Sequence, residues 1–260
     1  HIGWIVMEND IEDNFSSVRD LMKNPIIAWQ HRHIFLIGFL VGMVLPGLVG
    51  YLIGGLGAGI GCFIWGGLVR TVFVHHGTFL INSAAHIWGR QTYSIKNTSR
   101  DSALLSLFTF GEGYHNFHHT FQADYRNGHK WYHWDPSKWW ISSISFVKII
   151  RNLKRARQES IEVAKLDVKY AREVDKIMEV NDEIDVSHFN SRINRYRNSL
   201  RLAIRKMSDA RREFKIPRIG INREIMSFQI KQMRSEIRAI KREISELFKD
   251  MRKSRVVVSA

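Results

Sequence analysis

The chain has a single cysteine, Cys62, among its 260 residues. That excludes a disulfide framework and any metal cluster built from several thiolates. Its first thirty residues lack the charged start, short apolar core and small-residue cleavage site of a secretory signal. Most telling is the absence of charge between Ile34 and Val69, thirty-six consecutive positions with no Asp, Glu, Lys or Arg. Acid is scarce as well, with 25 Asp and Glu against 39 Lys and Arg. The excess is uneven. Residues 151–260 hold twenty-eight of the basic side chains and sixteen of the acidic ones, whereas residues 1–150 are nearly balanced. The pI of about 10.1 is therefore a property of the tail.

One helix over the uncharged run would be about 54 Å long, well beyond a hydrocarbon core of about 30 Å. Two spans near 34–53 and 56–77, reversing at Gly54-Gly55, fit better. Pro46 sits where it would kink the first. Gly57, Ala58, Gly59, Gly61, Gly66 and Gly67 let a second helix approach closely. A helical membrane hairpin is expected rather than a soluble one, because no soluble helix pair needs so long an uncharged run. Upstream, Glu8, Asp10, Glu12 and Asp13 form an acidic connector, a short helix is expected over Ser17–Lys23, and Asn24-Pro25 breaks it. Trp29, His31, Arg32 and His33 suit an interface, and the basic residues before and after the hairpin place both flanks on the cytoplasmic side.

What is abundant is histidine, twelve in all. Gly111-Glu112-Gly113-Tyr114-His115-Asn116-Phe117-His118-His119 sets three imidazoles within five residues. Neutral imidazole is a common ligand of transition metals. On a helix, His115 and His119 share a face with His118 beside them. About thirty residues earlier, Asn82-Ser83-Ala84-Ala85-His86 ends the apolar stretch, and Asn82 and His86 are again four apart. Such groups at a membrane edge usually face a protein interior for a functional reason.

These two boxes resemble the third-box region of the integral-membrane acyl desaturases, the stearoyl-CoA delta-9 type in particular. His1-Ile2-Gly3-Trp4, Phe121-Gln122-Ala123-Asp124-Tyr125-Arg126 and Asp135-Pro136-Ser137-Lys138-Trp139 agree with that family, so the resemblance covers roughly residues 1–150. It implies an all-α membrane enzyme with a cytosolic histidine-box cap. It also implies a pair of iron ions that activate dioxygen with two electrons from a small cytochrome- or ferredoxin-type partner, to place a cis double bond in a long acyl chain. By residue-level match, His86, His115, His118 and His119 would ligate metal directly and Asn82 through water. Glu112 would orient a histidine, and Phe79 would line the acyl tunnel. His75, His76, His129 and His133 match no ligand box and are assigned to packing.

Two departures qualify the expectation. The upstream boxes H-x-x-x-x-H and H-x-x-H-H are absent, and the chain starts inside a family motif, so it reads as the C-terminal part of such a protein, binding metal poorly alone. Met7-Glu8-Asn9-Asp10 stands where animal acyl-CoA desaturases have basic residues, which leaves acyl-lipid beside acyl-CoA as substrate. A fatty-acyl or sphingolipid hydroxylase uses the same kind of boxes.

Residues 151–260 form a second region with no family assigned, read as long basic helices divided by Pro217 and Gly220. Ile230, Met233, Ile237, Ile240, Ile244, Leu247 and Met251 alternate three and four apart, the spacing of a coiled-coil seam over about 221–252. That seam can meet another chain, giving self-association, or this chain's own tail. A non-catalytic membrane anchor presenting this tail is the reading from another functional class, but an anchor needs none of the histidine boxes. Arginines interleaved with acids and seam residues argue against nucleic acid.

Overall fold

The computed structural model describes residue 3 and residues 19–180, 186–214 and 223–258. The His1-Ile2-Gly3-Trp4 motif apart from Gly3, the acidic cluster at 8–13, and Pro217 with Gly220 lie outside the described residues. Among those described the fold is all-α, with no strand and only two isolated antiparallel bridges, Arg90–Asp101 and Asp101–Tyr114. The chain divides into two compact units, His1–Ala84 and Ala85–Ala260.

In the first unit, α1 (Arg19–Met22) and α2 (Pro25–Arg32) meet at Asn24. The Asn-Pro pair ends one helix and begins the next: Asn24 Oδ1 accepts from the Ile26 N–H at 3.0 Å, and Pro25 occupies the first turn, where its missing N–H costs nothing. From α3 (Ile34–Phe39) the chain runs through a π-helical turn at Leu40–Val44 into α4 (Leu45–Cys62), then through a second π-helical stretch, Phe63–Val69, into α5 (Arg70–Asn82). The first π turn lies directly ahead of Pro46, which cannot donate into the preceding turn. The whole stretch Ile34–Ile87 is long and apolar enough to cross a membrane.

α4 is not straight. Gly54 (φ −138°, ψ 18°) and Gly55 (φ 72°, ψ −162°) leave helical geometry, and the chain doubles back there. A Cβ at Gly50 would lie 2.6 Å from the Ala58 carbonyl oxygen and 2.7 Å from the Cys62 side chain, so glycine is what allows the arms to touch. Further along, the arms meet again where Gly67 faces the Met43 backbone, and Arg70 Nη2 donates to the Gly42 carbonyl at 2.7 Å. The large side chains point outward: Phe35, Leu52, Ile53 and Trp65 are all strongly exposed.

The second unit opens with α6 (Ala84–Ile87), α7 (Ala103–Phe108), α8 (His115–Thr120) and α9 (Pro136–Phe146), joined by long ordered loops. α9 stops at Phe146. Lys148 and Asn152 take positive φ in the segment that follows, before the helices of the tail begin. The tail proper comprises α10 (Gln158–Met178), α11 (Ser187–Phe214) and α12 (Arg223–Val258). Their apolar stripes share one core: Leu166, Tyr170 and Ile177 from α10, Ile193, Leu200 and Ile204 from α11, and Ile237, Ile244, Leu247 and Met251 from α12. The seam expected to form a coiled coil over 221–252 is thus filled within the chain, by a three-helix bundle. Ion pairs rim it, including Arg197–Asp167 at 2.7 Å and Lys241–Glu162 at 2.7 Å.

Candidate metal centre

His86, His115 and His119 come together within the second unit. Their Nε2 atoms converge, with His86 to His115 at 3.1 Å and His115 to His119 at 3.0 Å, and all three ligating atoms lie within 4.8 Å of one another. Hydrogen bonding alone cannot account for this. One ring nitrogen carries either a proton or a lone pair, so His115 Nε2 can satisfy only one of its two neighbours. Two nitrogens each about 2 Å from a shared ion lie about 3 Å apart, as these do. Burial, reinforced by His119, His86 and His118, lowers the His115 imidazole to about 3, which keeps it in the neutral, ligating form. The donor set fits a transition metal that prefers imidazole nitrogen.

The helix carrying two of these rings is held by glycine contacts and buried polar groups. Gly113 passes so close to α7 that a Cβ would collide with the Ser106 amide nitrogen, and Ser102 N–H donates to the Gly113 carbonyl at 2.8 Å. Gly111 takes φ 103° with its Cα face against Asp135. The Phe117 N–H in the first turn of α8 donates to Asp101 Oδ1 at 3.0 Å. Burial pushes the Asp101 carboxyl up to about 6 even against that donor.

Asn116, between His115 and Phe117, is fully buried. Its Oδ1 accepts from the Tyr93 and Ser94 N–H groups at 2.8 and 3.2 Å. Its Nδ2 donates to the Ser94 and Ser99 carbonyls at 2.8 and 3.0 Å. It therefore ties the loop 91–100 to the histidine helix. That loop delivers Thr98, whose Oγ1 lies 2.8 Å from His86 Nδ1 and orients the ring so that Nε2 faces the cluster. Sequence reasoning misses Thr98 and Asn116, because nothing in a lone Thr or in the middle of H-N-F-H-H signals a contact across twelve to twenty-three residues.

The other site residues are placed differently. The ring of His118 lies nearly parallel to that of His115, with centroids 6.2 Å apart, and it stands outside the three-histidine cluster. Glu112 is exposed in the turn before α8. Asn82 is the exposed last residue of α5, and Phe79, half-buried, has the His75 and His76 rings about 6 Å away; all of these belong to the first unit. His129 stacks on Phe117 at 4.8 Å and His133 on Tyr114 at 4.2 Å. Below them, fully buried Asp135 accepts from the Asn127 and Gly128 N–H groups, each at 2.9 Å, and caps α9 through the Lys138 N–H. The Lys138 ammonium donates to three loop carbonyls, those of Gly128, Lys130 and His133. The Asp-Pro-Ser-Lys motif thus folds the loop under the histidine helix.

The tail reaches the same place. Ile161 of α10 is buried with Tyr93 and Phe117, Lys165 Nζ lies 5.8 Å over the Tyr93 ring, and Arg172 Nη2 donates to the Gln91 carbonyl at 2.6 Å. A cavity of about 670 Å³ between this helix and residues 93–97 opens onto His119.

The fold and the site define an all-α protein in which His86 joins two rings of an H-x-x-H-H box in one cluster of metal-ligand type. A family model described as fatty acid desaturase matches residues 11–143, and the chain belongs to that family. It is 38% identical over 154 residues to the probable acyl-CoA desaturase of Schizosaccharomyces pombe, a match covering 59% of this chain and 32% of that protein. With acyl-CoA desaturase 1 of Saccharomyces cerevisiae it shares 38% identity over 165 residues, covering 63% and 32%. With stearoyl-CoA desaturase 5 of Bos taurus it shares 30% over 169 residues, covering 64% and 50%. The chain spans between a third and a half of the length of these relatives.

Proposed function

We propose that residues 1–150 supply the last histidine boxes of a dioxygen-dependent desaturase acting on a long-chain acyl group, carried as acyl-CoA or acyl-lipid, with a cis double bond at the delta-9 position as product. The observation that carries the reading is the convergence of three Nε2 atoms that cannot satisfy one another. Breaking an unactivated methylene C–H bond is beyond side-chain acid–base chemistry, and a pair of bound irons would supply the oxidising power, with electrons from a small cytochrome- or ferredoxin-type protein.

His86, His115 and His119 would hold one ion. His118, on the same helix and turned away from that cluster, would serve the second. Four imidazoles are too few for two ions, so further donors must come from residues beyond these boxes, with Asn82 contributing through water. Thr98 would keep His86 in one tautomer, and Glu112 would orient a neighbouring ring. The outward apolar faces of the first unit would sit in lipid as spans 34–53 and 56–77, with the histidine boxes and tail on the cytoplasmic side. Phe79 would line the path of the acyl chain.

The test is metal content and olefin yield from one membrane preparation of the protein joined to the two upstream boxes of a relative. Two irons and a monounsaturated product are expected. His86→Ala, His115→Ala, His118→Ala and His119→Ala should each remove activity almost completely, with His75→Ala mild. A hydroxylated product would replace desaturation with hydroxylation, and an iron-free protein would overturn the ligand assignment.

A further inference from the structure

Outside the histidine site, the second unit has a cleft of about 350 Å³ between the segment entering α10 and the last turns of α11. Four arginines line it. Arg155 and Arg157 come from the entering segment, and Arg205 and Arg212 from α11, where they stand two turns apart on one face with Ser208 between them. Segments some fifty residues apart in sequence thus bring their guanidinium groups to one concavity.

The cations are largely unspent. Arg155 is held by the Tyr125 hydroxyl at 2.9 Å and lies 5.3 Å over that ring. Arg157, Arg205 and Arg212 form no hydrogen bond or ion pair among the described residues, in a bundle whose other faces pair Arg192, Arg197 and Arg252 with carboxylates. Glu159 and Asp209 also line the cleft, and among the described residues neither forms an ion pair with an arginine. Four guanidinium groups against two carboxylates leave an excess of two positive charges, the match for a phosphate dianion. Arginine forks suit phosphate oxygens, which accept paired N–H donors. The first turn of α10 adds to them, since Arg157 at its N-cap makes no side-chain cap and leaves backbone N–H groups open.

We propose that this cleft binds a phosphate or pyrophosphate group borne by a small molecule or a lipid headgroup, at the junction between the desaturase-like region and the tail bundle. The site is independent of iron and of the histidine cluster.

The test is calorimetric titration of the full chain in detergent, at fixed low ionic strength, with sodium pyrophosphate and separately with the soluble short-chain lipid dihexanoyl phosphatidic acid. Binding of at least one is expected. Arg157→Ala and Arg212→Ala should each weaken it about tenfold, the loss expected for one charge-assisted contact, and Ser208→Glu, which sets a third carboxylate between the arginines, should abolish it. Arg238→Ala, an exposed arginine of α12 outside the cleft, is the control and should leave binding unchanged. Arg157, Arg212 and Arg238 are exposed and Ser208 is half-buried at the cleft wall, so circular dichroism should show the bundle intact in every variant. Tighter binding of the lipid than of pyrophosphate assigns a headgroup, and the reverse assigns a soluble phosphate. Failure of both ligands to bind, or an equal loss in Arg238→Ala, would overturn the proposal.

Discussion

The hairpin of the first unit and the bundle of the second are both helices packed on helices, yet they are patterned inside out relative to each other. In the hairpin the contacts are glycines, Gly50 against Ala58 and Cys62, Gly67 against Met43, and the large apolar side chains face outward. In the bundle the contacts are Ile, Leu, Phe and Met, and the outer faces carry the basic charge. Burial of apolar area drives helices together in water. It offers nothing in lipid, where close backbone approach has to serve instead. Each assembly is built for a different solvent.

Single substitutions test that contrast directly. Leu247, fully buried in the bundle, should not tolerate charge: Leu247→Lys is expected to cost about 3–5 kcal/mol and unfold the tail cooperatively in a thermal melt followed by circular dichroism. Leu52, 73% exposed on the hairpin, should accept Leu52→Ala in detergent within about 0.5 kcal/mol. Equal sensitivity at the two positions would dissolve the comparison.

Between these two apolar patterns the histidine site follows a third rule, assembly through glycine contacts and buried polar groups. Gly113→Ala should be the most damaging change there, because the added methyl would meet backbone rather than a movable side chain. Loss of cobalt binding by the histidine cluster, read from the visible absorption of the ion, is the measure. An unchanged spectrum would show that α7 and α8 can move apart freely.

Thr98→Val sharpens the point with less damage. It keeps the shape of the side chain and removes the oxygen 2.8 Å from His86 Nδ1. A loss of roughly 10–100-fold in cobalt affinity is expected, as for other groups that orient a metal-bound histidine, with the melting of the bundle unaffected. Arg172→Ala, which releases the Gln91 carbonyl at the start of the same loop, should act in the same direction and more weakly. If Thr98→Val bound cobalt like the parent, the tautomer of His86 would have to be set elsewhere.

How much of this could be read in advance depended on the range of the interaction. Periodicity marks faces, so the helical class and the seam from Ile237 to Met251 were legible, whereas the partner of that seam was not, since a heptad pattern looks the same whether it meets its own chain or another. The histidine boxes were legible because H-x-x-H-H concentrates its donors within one turn. His118 shows the limit: residues three apart on a helix share a face only approximately, and the turn at Tyr114 sets which rings converge. Asn116 and Asp101 were invisible as organisers, because a buried Asn or Asp reaches backbone groups sixteen to twenty-three residues away, and such contacts leave no spacing to recognise. Asn24-Pro25 was legible as a break, but its second role as the start of α2 depends on a side-chain cap.

The smallest effect concerns the loop beneath the histidine helix. Burial, with Lys130 and Lys138 nearby, lowers the His133 imidazole to about 4, whereas in an unfolded chain it titrates near 6.5. Between those values the unfolded chain binds the extra proton and the folded loop does not, so stability rises with pH there. The contribution is whole above about 6.5 and is lost as pH falls towards 4. His129, lowered to about 4 mainly by burial, acts in the same window and direction. Amide exchange at Gly128 and Lys138, both held by Asp135, should therefore be less protected at pH 5 than at pH 7 after correction for intrinsic rates. His133→Phe should remove part of that difference while preserving the loop. Its ring can keep the stack on Tyr114, and it sacrifices no hydrogen bond at Nδ1, which is buried without a partner among the described residues. The remainder should vanish when His129→Phe is added. A double variant with the parent's full pH dependence would move the titrating group out of this loop; Asp101 could not be that group, because a carboxyl raised in the folded state makes stability fall, not rise, with pH.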